Sequence, residues 1–308
     1  MRWGRQCWQR TGWLLEAGKR PTLAALGHSS EGLKASLDLA IFDAYLKEVH
    51  RYIERTRAKR GLLREIDCPK GADEVLKGLP VRVGPQASTG IIFRGDTFVE
   101  LGNPNTASCA FLLWTDKAAL IRDGRITLVG PDVAESQGRN LPFAQVLMVG
   151  GSTLQEEYQE TLDRHQYVFD QIEGYMVRSV PQRMWSRVSR AAVDKGFGFE
   201  TLGRALMGIF KTQLPQVEAM EVLFVTSSKG DLALLENIAT QVGKISRDIR
   251  RRSLVRRLDG TYECTTGYDC TACSDKPVCD DIRQVVALRK AKGYRRRQPL
   301  NQASDRHQ

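Results

Sequence analysis

Residues 200–249 read ETLGRALMGIFKTQLPQVEAMEVLFVTSSKGDLALLENIATQVGKISRDI, and the order of signals in this stretch decides the fold class. Glu200 to Gln213 spaces its apolar residues as a helix does, and Pro215 ends it. Glu221 to Val225 is a short run with the β-branched and aromatic bias of a strand. Asp231 to Ile249 places Leu232, Leu235, Ile238, Val242 and Ile245 on one helical face. Helix, strand and helix after a strand-rich half predict an α+β fold, a mixed sheet flanked by helices.

Upstream, residues 79–150 carry the strand-rich half. Its short apolar runs are Ile91–Phe93, Phe98–Leu101, Ala110–Trp114, Ile126–Val129 and Val146–Val149, separated by Gly-, Asn- and Pro-containing turns. Asp123-Gly124 reads as a hairpin turn. Ser152 and Gln155 form a capping-box pattern, and Leu154, Tyr158, Leu162, His165, Phe169, Ile172 and Met176 continue as a helical stripe. A further helix is expected over Gln182–Lys195, with Gly196-Phe197-Gly198 as the turn that follows it. Before the sheet, Ser36 is an N-cap for a helix whose apolar stripe runs from Phe42 to Ile53 and which stops near Gly61. His50 and His165 read as structural. Residues 1–35 mix Arg, Trp, Gly and Pro without a period and read as a disordered leader. The expected organisation is therefore 1–35 leader, 36–78 helix and linker, 79–258 α+β domain, and 259–308 cysteine module with a basic tail.

Composition narrows the function classes. The chain has 308 residues, 42% of them hydrophobic, enough for a substantial core. Its longest apolar run, Cys109–Trp114, is far shorter than the roughly 20 residues of a membrane-spanning helix. No secretory signal pattern opens the sequence, so a cytoplasmic, membrane-free protein is expected. The net charge of +10 is concentrated at Arg250–Arg252, Arg256, Arg257 and Arg295–Arg297. Such runs attract acidic proteins, nucleic acids or phosphate-rich cofactors. Neither the dinucleotide-binding glycine pattern nor a phosphate-binding loop motif occurs.

Of seven cysteines, Cys7, Cys68 and Cys109 are scattered, while Cys264, Cys270, Cys273 and Cys279 fall within sixteen residues. The spacing is Cys-x5-Cys-x2-Cys-x5-Cys. Two cysteines separated by two residues can turn toward one metal, and four thiolates suit tetrahedral zinc or the corners of a [4Fe–4S] cluster. Structural zinc usually takes two Cys-x2-Cys knuckles, and here there is one. The pattern therefore favours an iron–sulfur module at the C-terminal end, with zinc as the alternative. Pro277 stiffens the loop, and the residues after Cys279 suit a helix whose N-terminus would favour the thiolate.

From about Leu79 to Asp281 the chain resembles the β subunit of the carbon monoxide dehydrogenase/acetyl-CoA synthase complex, specifically the family's N-terminal half. The resemblance rests on Val81–Pro85, Phe98–Gly102, Asp123–Ile126, Val129–Asp132, Leu141–Ala144, Ile172–Met176, Met184–Ser189, Lys195–Phe197 and Leu214–Glu218, in that order. It implies anaerobic one-carbon metabolism. There a corrinoid-borne methyl group, carbon monoxide and coenzyme A combine at a nickel centre bridged to a [4Fe–4S] cluster. It also implies carbon monoxide dehydrogenase or corrinoid subunits as partners, coenzyme A as a ligand and, for an active member, an acyltransferase activity. The family's cluster pattern carries over to Cys270, Cys273 and Cys279, with Cys264 standing in for a missing fourth. Nickel is in doubt, because residues 280–308 contain no Cys-x-Cys pair of the kind the family uses for its outer nickel. Arg178, Arg183, Arg187 and Arg190 are candidates for coenzyme A phosphates or an acidic partner, expected on helix faces. Two other readings remain: a non-catalytic iron–sulfur electron-transfer or scaffold subunit, and a zinc-containing nucleic-acid binder with Tyr262, Tyr268 and Tyr294 as stacking residues.

Overall fold

The computed structural model describes residues 30–59, 63–85, 87, 91–167, 171–179, 183–252, 254–256 and 262–264, with 284, 287 and 288 placed singly. The strands are β1 (Leu63–Asp67), β2 (Thr97–Leu101), β3 (Ser108–Thr115), β4 (Arg125–Val129), β5 (Phe143–Gly150), β6 (Tyr175–Ser179), β7 (Trp185–Ser189), β8 (Ala219–Val225), β9 (Leu254–Arg256) and β10 (Tyr262–Cys264). The helices are α1 (Ser30–Arg57), α2 (Ala72–Leu76), α3 (Gln159–His165), α4 (Arg190–Asp194), α5 (Phe199–Gln213) and α6 (Lys229–Arg252).

A five-stranded sheet in the order β1-β4-β8-β5-β3 forms the centre. It is mixed: β4–β8 and β3–β5 are parallel, while β1–β4 and β5–β8 are antiparallel. Residues of β3, β5 and β8 are buried along their whole length. Such continuous burial demands cover on both faces. Helices α1 and α6 supply one cover and α5, backed by α2, the other. The α+β expectation with a mixed, helix-flanked sheet therefore holds.

The two faces differ in chemistry. On the α5 face, Phe199 packs between Phe224 of β8 and Phe143 of β5, with ring centroids 5.0 and 5.7 Å away. On the α1 face, the fully buried Glu221 of β8 accepts hydrogen bonds from the Arg122 backbone N–H and meets His50 Nε2 at 2.9 Å. The Oε2 atom of this unusual polar residue in a central strand is thus partnered by α1 and by the turn before β4, while its Oε1 is buried without a hydrogen-bond partner among the described residues, and His50 has the structural role expected of it.

Helix α5 lies unusually close to the sheet. A Cβ on Gly203 would meet Ile126 Cδ1 at 2.5 Å, and one on Gly208 would meet Leu76 of α2 at 2.4 Å. Glycine inside a helix is unfavourable by about 1 kcal/mol relative to alanine, and these two positions exchange that cost for close packing on opposite partners.

A second sheet, antiparallel and three-stranded in the order β2-β7-β6, sits beside the first. Its strands depart most from expectation. The Gln182–Lys195 helix is in fact strand β7 followed by the single short helix α4, whose N-cap Ser189 accepts from Ala192 N–H. The Ser152 capping box does not form: the backbone N–H of Ser152 donates instead to Glu218 Oε1 at 2.9 Å. The stripe beyond it divides into α3 and, after Ile172, strand β6. Ile91–Phe93 is not a strand, and its ends are exposed. Asp123-Gly124 is a turn, but Ala118–Leu120 before it is a 3-10 turn, so no hairpin forms and β4 pairs with β1 and β8 instead. Helix α1 begins at Ser30, six residues before Ser36. The remainder of the 1–35 leader lies outside the described residues.

Gly203→Ala is expected to lower unfolding free energy by about 1–2 kcal/mol in denaturant titration, overpacking outweighing the gain in helix propensity. Ile126→Val, which removes the Cδ1 atom in the way, should recover part of that loss in the double variant.

Candidate ligand pocket

Strand alternation builds the site. In β2 the side chains of Val99 and Leu101 point into the core, so Phe98 and Glu100 point the other way. In β7, Ser186 and Val188 are buried while Trp185 and Arg187 share the outward face. The register sets Glu100 opposite Arg187, and β6 adds Arg178 on the far side. One face of the small sheet therefore carries a row of guanidinium, indole and guanidinium. Arg178 Cζ lies 4.6 Å from the centroid of the Trp185 ring and Arg187 Cζ lies 5.7 Å from it, both within cation–π range.

Above this face is a cavity of about 530 Å³, walled by Arg94, Phe98, Glu100, Asn103, Trp185 and Arg187 among others. The volume falls in the ordinary range of small-ligand sites. Its wall opposite the sheet is the loop that follows β2. That loop needs Gly102, whose φ is +63° and where a Cβ would meet the Met184 carbonyl oxygen at 2.4 Å. Asn103 then closes the turn, its Oδ1 accepting from Asn105 N–H at 2.8 Å.

Glu100 is the electrostatic centre of the pocket. Its Oε1 accepts from Arg187 Nε at 2.8 Å and its Oε2 from Asn103 Nδ2 at 3.0 Å. Burial alone would raise its pKa, but the Asn103 and Arg187 hydrogen bonds, with the charges of Arg187 and Arg178, hold it below the usual carboxylate value. Arg187, 9% exposed, uses Nη1 to donate to the Ile92 carbonyl at 3.1 Å. Among the described residues, no carboxylate forms an ion pair with Arg94 or Arg178.

Of the four arginines named from the sequence, the structure brings Arg178 and Arg187 together around Trp185. They stand on strands rather than helices. Arg190 begins α4 and lies over the Phe98 ring at 5.6 Å, and Arg183 is exposed just before β7. Sequence reasoning missed Trp185, Glu100, Asn103 and Arg94. Cys264 ends β10, and Cys270, Cys273 and Cys279 lie outside the described residues. The scattered Cys68 and Cys109 are buried, and burial pushes their thiols up to about 11 and about 12, so both are inert packing groups at neutral pH. No described helix is long and apolar enough to cross a membrane.

Residues 79–230, which contain every wall of the pocket, match the family model described as CO dehydrogenase/acetyl-CoA synthase complex beta subunit. The match covers just under half of the chain. The chain is similar to acetyl-CoA decarbonylase/synthase complex subunit beta 1 of Methanosarcina thermophila, 30% identical over 189 residues, 60% of this chain and 40% of the relative. It is similar also to subunit beta of Methanothermobacter thermautotrophicus, 30% identical over 193 residues, 62% of this chain and 41% of the relative. With subunit beta of Archaeoglobus fulgidus it shares 27% over 190 residues, 60% and 36% of the two chains. The chain thus spans about two fifths of the length of the curated relatives it matches. The resemblance seen in the sequence is to this acetyl-CoA-synthase family, and these relatives are subunits of a multi-subunit complex.

Just before β6, the acetyl-CoA-synthase-like domain carries a separate ionic tie. Glu173 Oε1 receives Lys195 Nζ at 2.7 Å, and its Oε2 receives the Arg82 backbone N–H at 3.0 Å. Lys195 first, and then Arg82, pull the carboxyl down to about 2 from 4.5. A depressed carboxylate contributes stability that is present above its unfolded pKa and is lost as pH falls through the folded one. Glu173→Gln should therefore cost stability at pH 7, and it should reduce the further loss of stability between about pH 4.5 and 2 in denaturant titrations across that range.

Proposed function

We propose that this chain is a coenzyme A-binding, iron–sulfur member of the acetyl-CoA synthase family, cytoplasmic and acting in carbon monoxide/acetyl-CoA metabolism beside carbon monoxide dehydrogenase or corrinoid subunits. The observation that carries the reading is a 530 Å³ cavity walled by Trp185 and Arg187, with Arg178 stacked on Trp185, inside the stretch that matches the family. A phosphorylated nucleotide presents a planar π-system and dense negative charge. An indole between guanidiniums, with Arg94 at the rim, is complementary to both. The chain's part in the chemistry is to bind the nucleotide end of coenzyme A, hold it by charge, and leave the flexible thiol arm free to reach a reacting centre.

The donor set Cys264, Cys270, Cys273 and Cys279 fits a [4Fe–4S] cluster by its chemistry: four thiols within sixteen residues, one pair in Cys-x2-Cys spacing. Bound there, the cluster would supply one-electron transfer. Zinc is the alternative occupant of the same sulfurs. Residues 280–308 contain no cysteine, and no step is assigned to nickel. In a second reading the chain binds coenzyme A and a cluster as an electron-transfer or scaffold subunit without turning over acetyl groups.

Protein purified without oxygen is expected to contain about four irons and four sulfides per chain, lost in a Cys270→Ala/Cys273→Ala variant. One zinc without sulfide would contradict the iron–sulfur assignment. Coenzyme A should also quench tryptophan fluorescence, and Arg178→Ala should weaken that binding about tenfold. Retention of full affinity in the variant would remove the pocket from the account.

A further inference from the structure

Resting on the coenzyme A reading of the pocket, we propose that its arginines divide into two roles. Glu100 and Asn103 are positioning residues that lock Arg187 as a neutralised strut, while Arg178 and Arg94 are the cations that meet the ligand's phosphates.

The geometry separates the two roles. Arg187 is almost fully buried, and two of its donors are committed: Nε to Glu100 at 2.8 Å and Nη1 to the Ile92 carbonyl at 3.1 Å. Its positive charge faces a carboxylate that the surroundings keep ionised. To an approaching phosphate, the Arg187–Glu100 pair is close to a neutral unit. Arg178 is exposed and stacked on Trp185, itself a wall of the cavity, and has no ion-pair partner among the described residues; Arg94 lines the cavity, is exposed and likewise has no ion-pair partner among the described residues. Unneutralised guanidiniums are the groups able to form bidentate bonds to phosphate oxygens.

The strut has a mechanical consequence. Through Arg187 the carboxylate of Glu100 reaches the Ile92 carbonyl, at the base of the Arg94–Asp96 turn. Through Asn103, itself 6% exposed, it reaches the loop that forms the facing wall. One carboxylate therefore joins the floor and both walls of the cavity. Asn103 carries no charge, so removing its side chain leaves the charge of the pocket unchanged.

These assignments make an unusual sign prediction. Electrostatics alone says that removing a carboxylate from a phosphate pocket tightens anion binding. A positioning role says that it loosens it. The test is titration of the full-length protein with coenzyme A, 3′-dephospho-coenzyme A and pantetheine over a range of salt concentrations. Near-UV circular dichroism monitors folding. Glu100→Gln is expected to weaken coenzyme A binding about tenfold, the scale of a lost charge-assisted hydrogen bond. Asn103→Ala is expected to weaken it in the same direction with an unchanged salt slope. Arg178→Ala and Arg94→Ala should each lower the salt slope and shrink the preference for coenzyme A over pantetheine. Equal or tighter binding by Glu100→Gln would overturn the proposal. If that variant does not fold, unchanged affinity in Asn103→Ala would overturn it. Should the wild-type protein bind no coenzyme A, the pocket reading fails and takes this proposal with it. Binding by the wild type with wrong signs in the variants defeats the division of roles alone.

Discussion

The hydrogen-bonded pairing of Glu100 with Arg187 across β2 and β7 is the constraint on which the small sheet and its cavity depend. A guanidinium and a carboxylate this far from water are stable only as a pair with their remaining bonds filled. Asn103 and the Ile92 carbonyl fill them. The loop after β2 and the segment before it are thereby tied together by hydrogen-bonded charge. In the preceding segment Ile92 is buried, while Ile91 and Phe93 are 73% and 68% exposed. Loss of either charged partner would leave the other buried and alone, which costs far more than the pair contributes.

The large mixed sheet plays the opposite part. It is apolar, closely packed and covered on both faces, with a phenylalanine cluster under α5 and glycines that let that helix approach. It joins the small sheet through covalent continuity and through contacts such as the Ser108 hydroxyl, which donates to the Met184 carbonyl and accepts from the Met184 N–H just before β7. A rigid apolar sheet thus presents a polar one, the division of labour by which scaffolds hold ligand sites in register.

What could be read in advance follows the same division. The buried strands β3, β4, β5 and β8 and helices α5 and α6 announce themselves because apolar periodicity reports burial. Strand β7 does not. Its inward set, Ser186 and Val188, includes a hydroxyl, and its outward set, Trp185 and Arg187, includes a large aromatic, so no apolar/polar alternation exists to be seen. The basic residues there imitate a solvated helix face. The arginines were candidate anion binders by type. The pairing that neutralises Arg187 was not, because Glu100 lies 87 residues away and only the strand register brings it opposite. Cys264 to Cys279 stand apart from this comparison, a reading from spacing alone that lies almost wholly outside the described residues.

The proposed chemistry is a charged, aromatic surface that grips the nucleotide end of a cofactor, attached to a cysteine-rich segment whose spacing suits an iron–sulfur cluster. Location is the most direct test of the claim that the small sheet is the ligand site. Amide hydrogen exchange should be followed by mass spectrometry with and without saturating coenzyme A. The account requires new protection in peptides covering residues 92–105 and 183–189, with the interior of β8 unchanged. Protection confined to other segments, with these two unaffected, would contradict it.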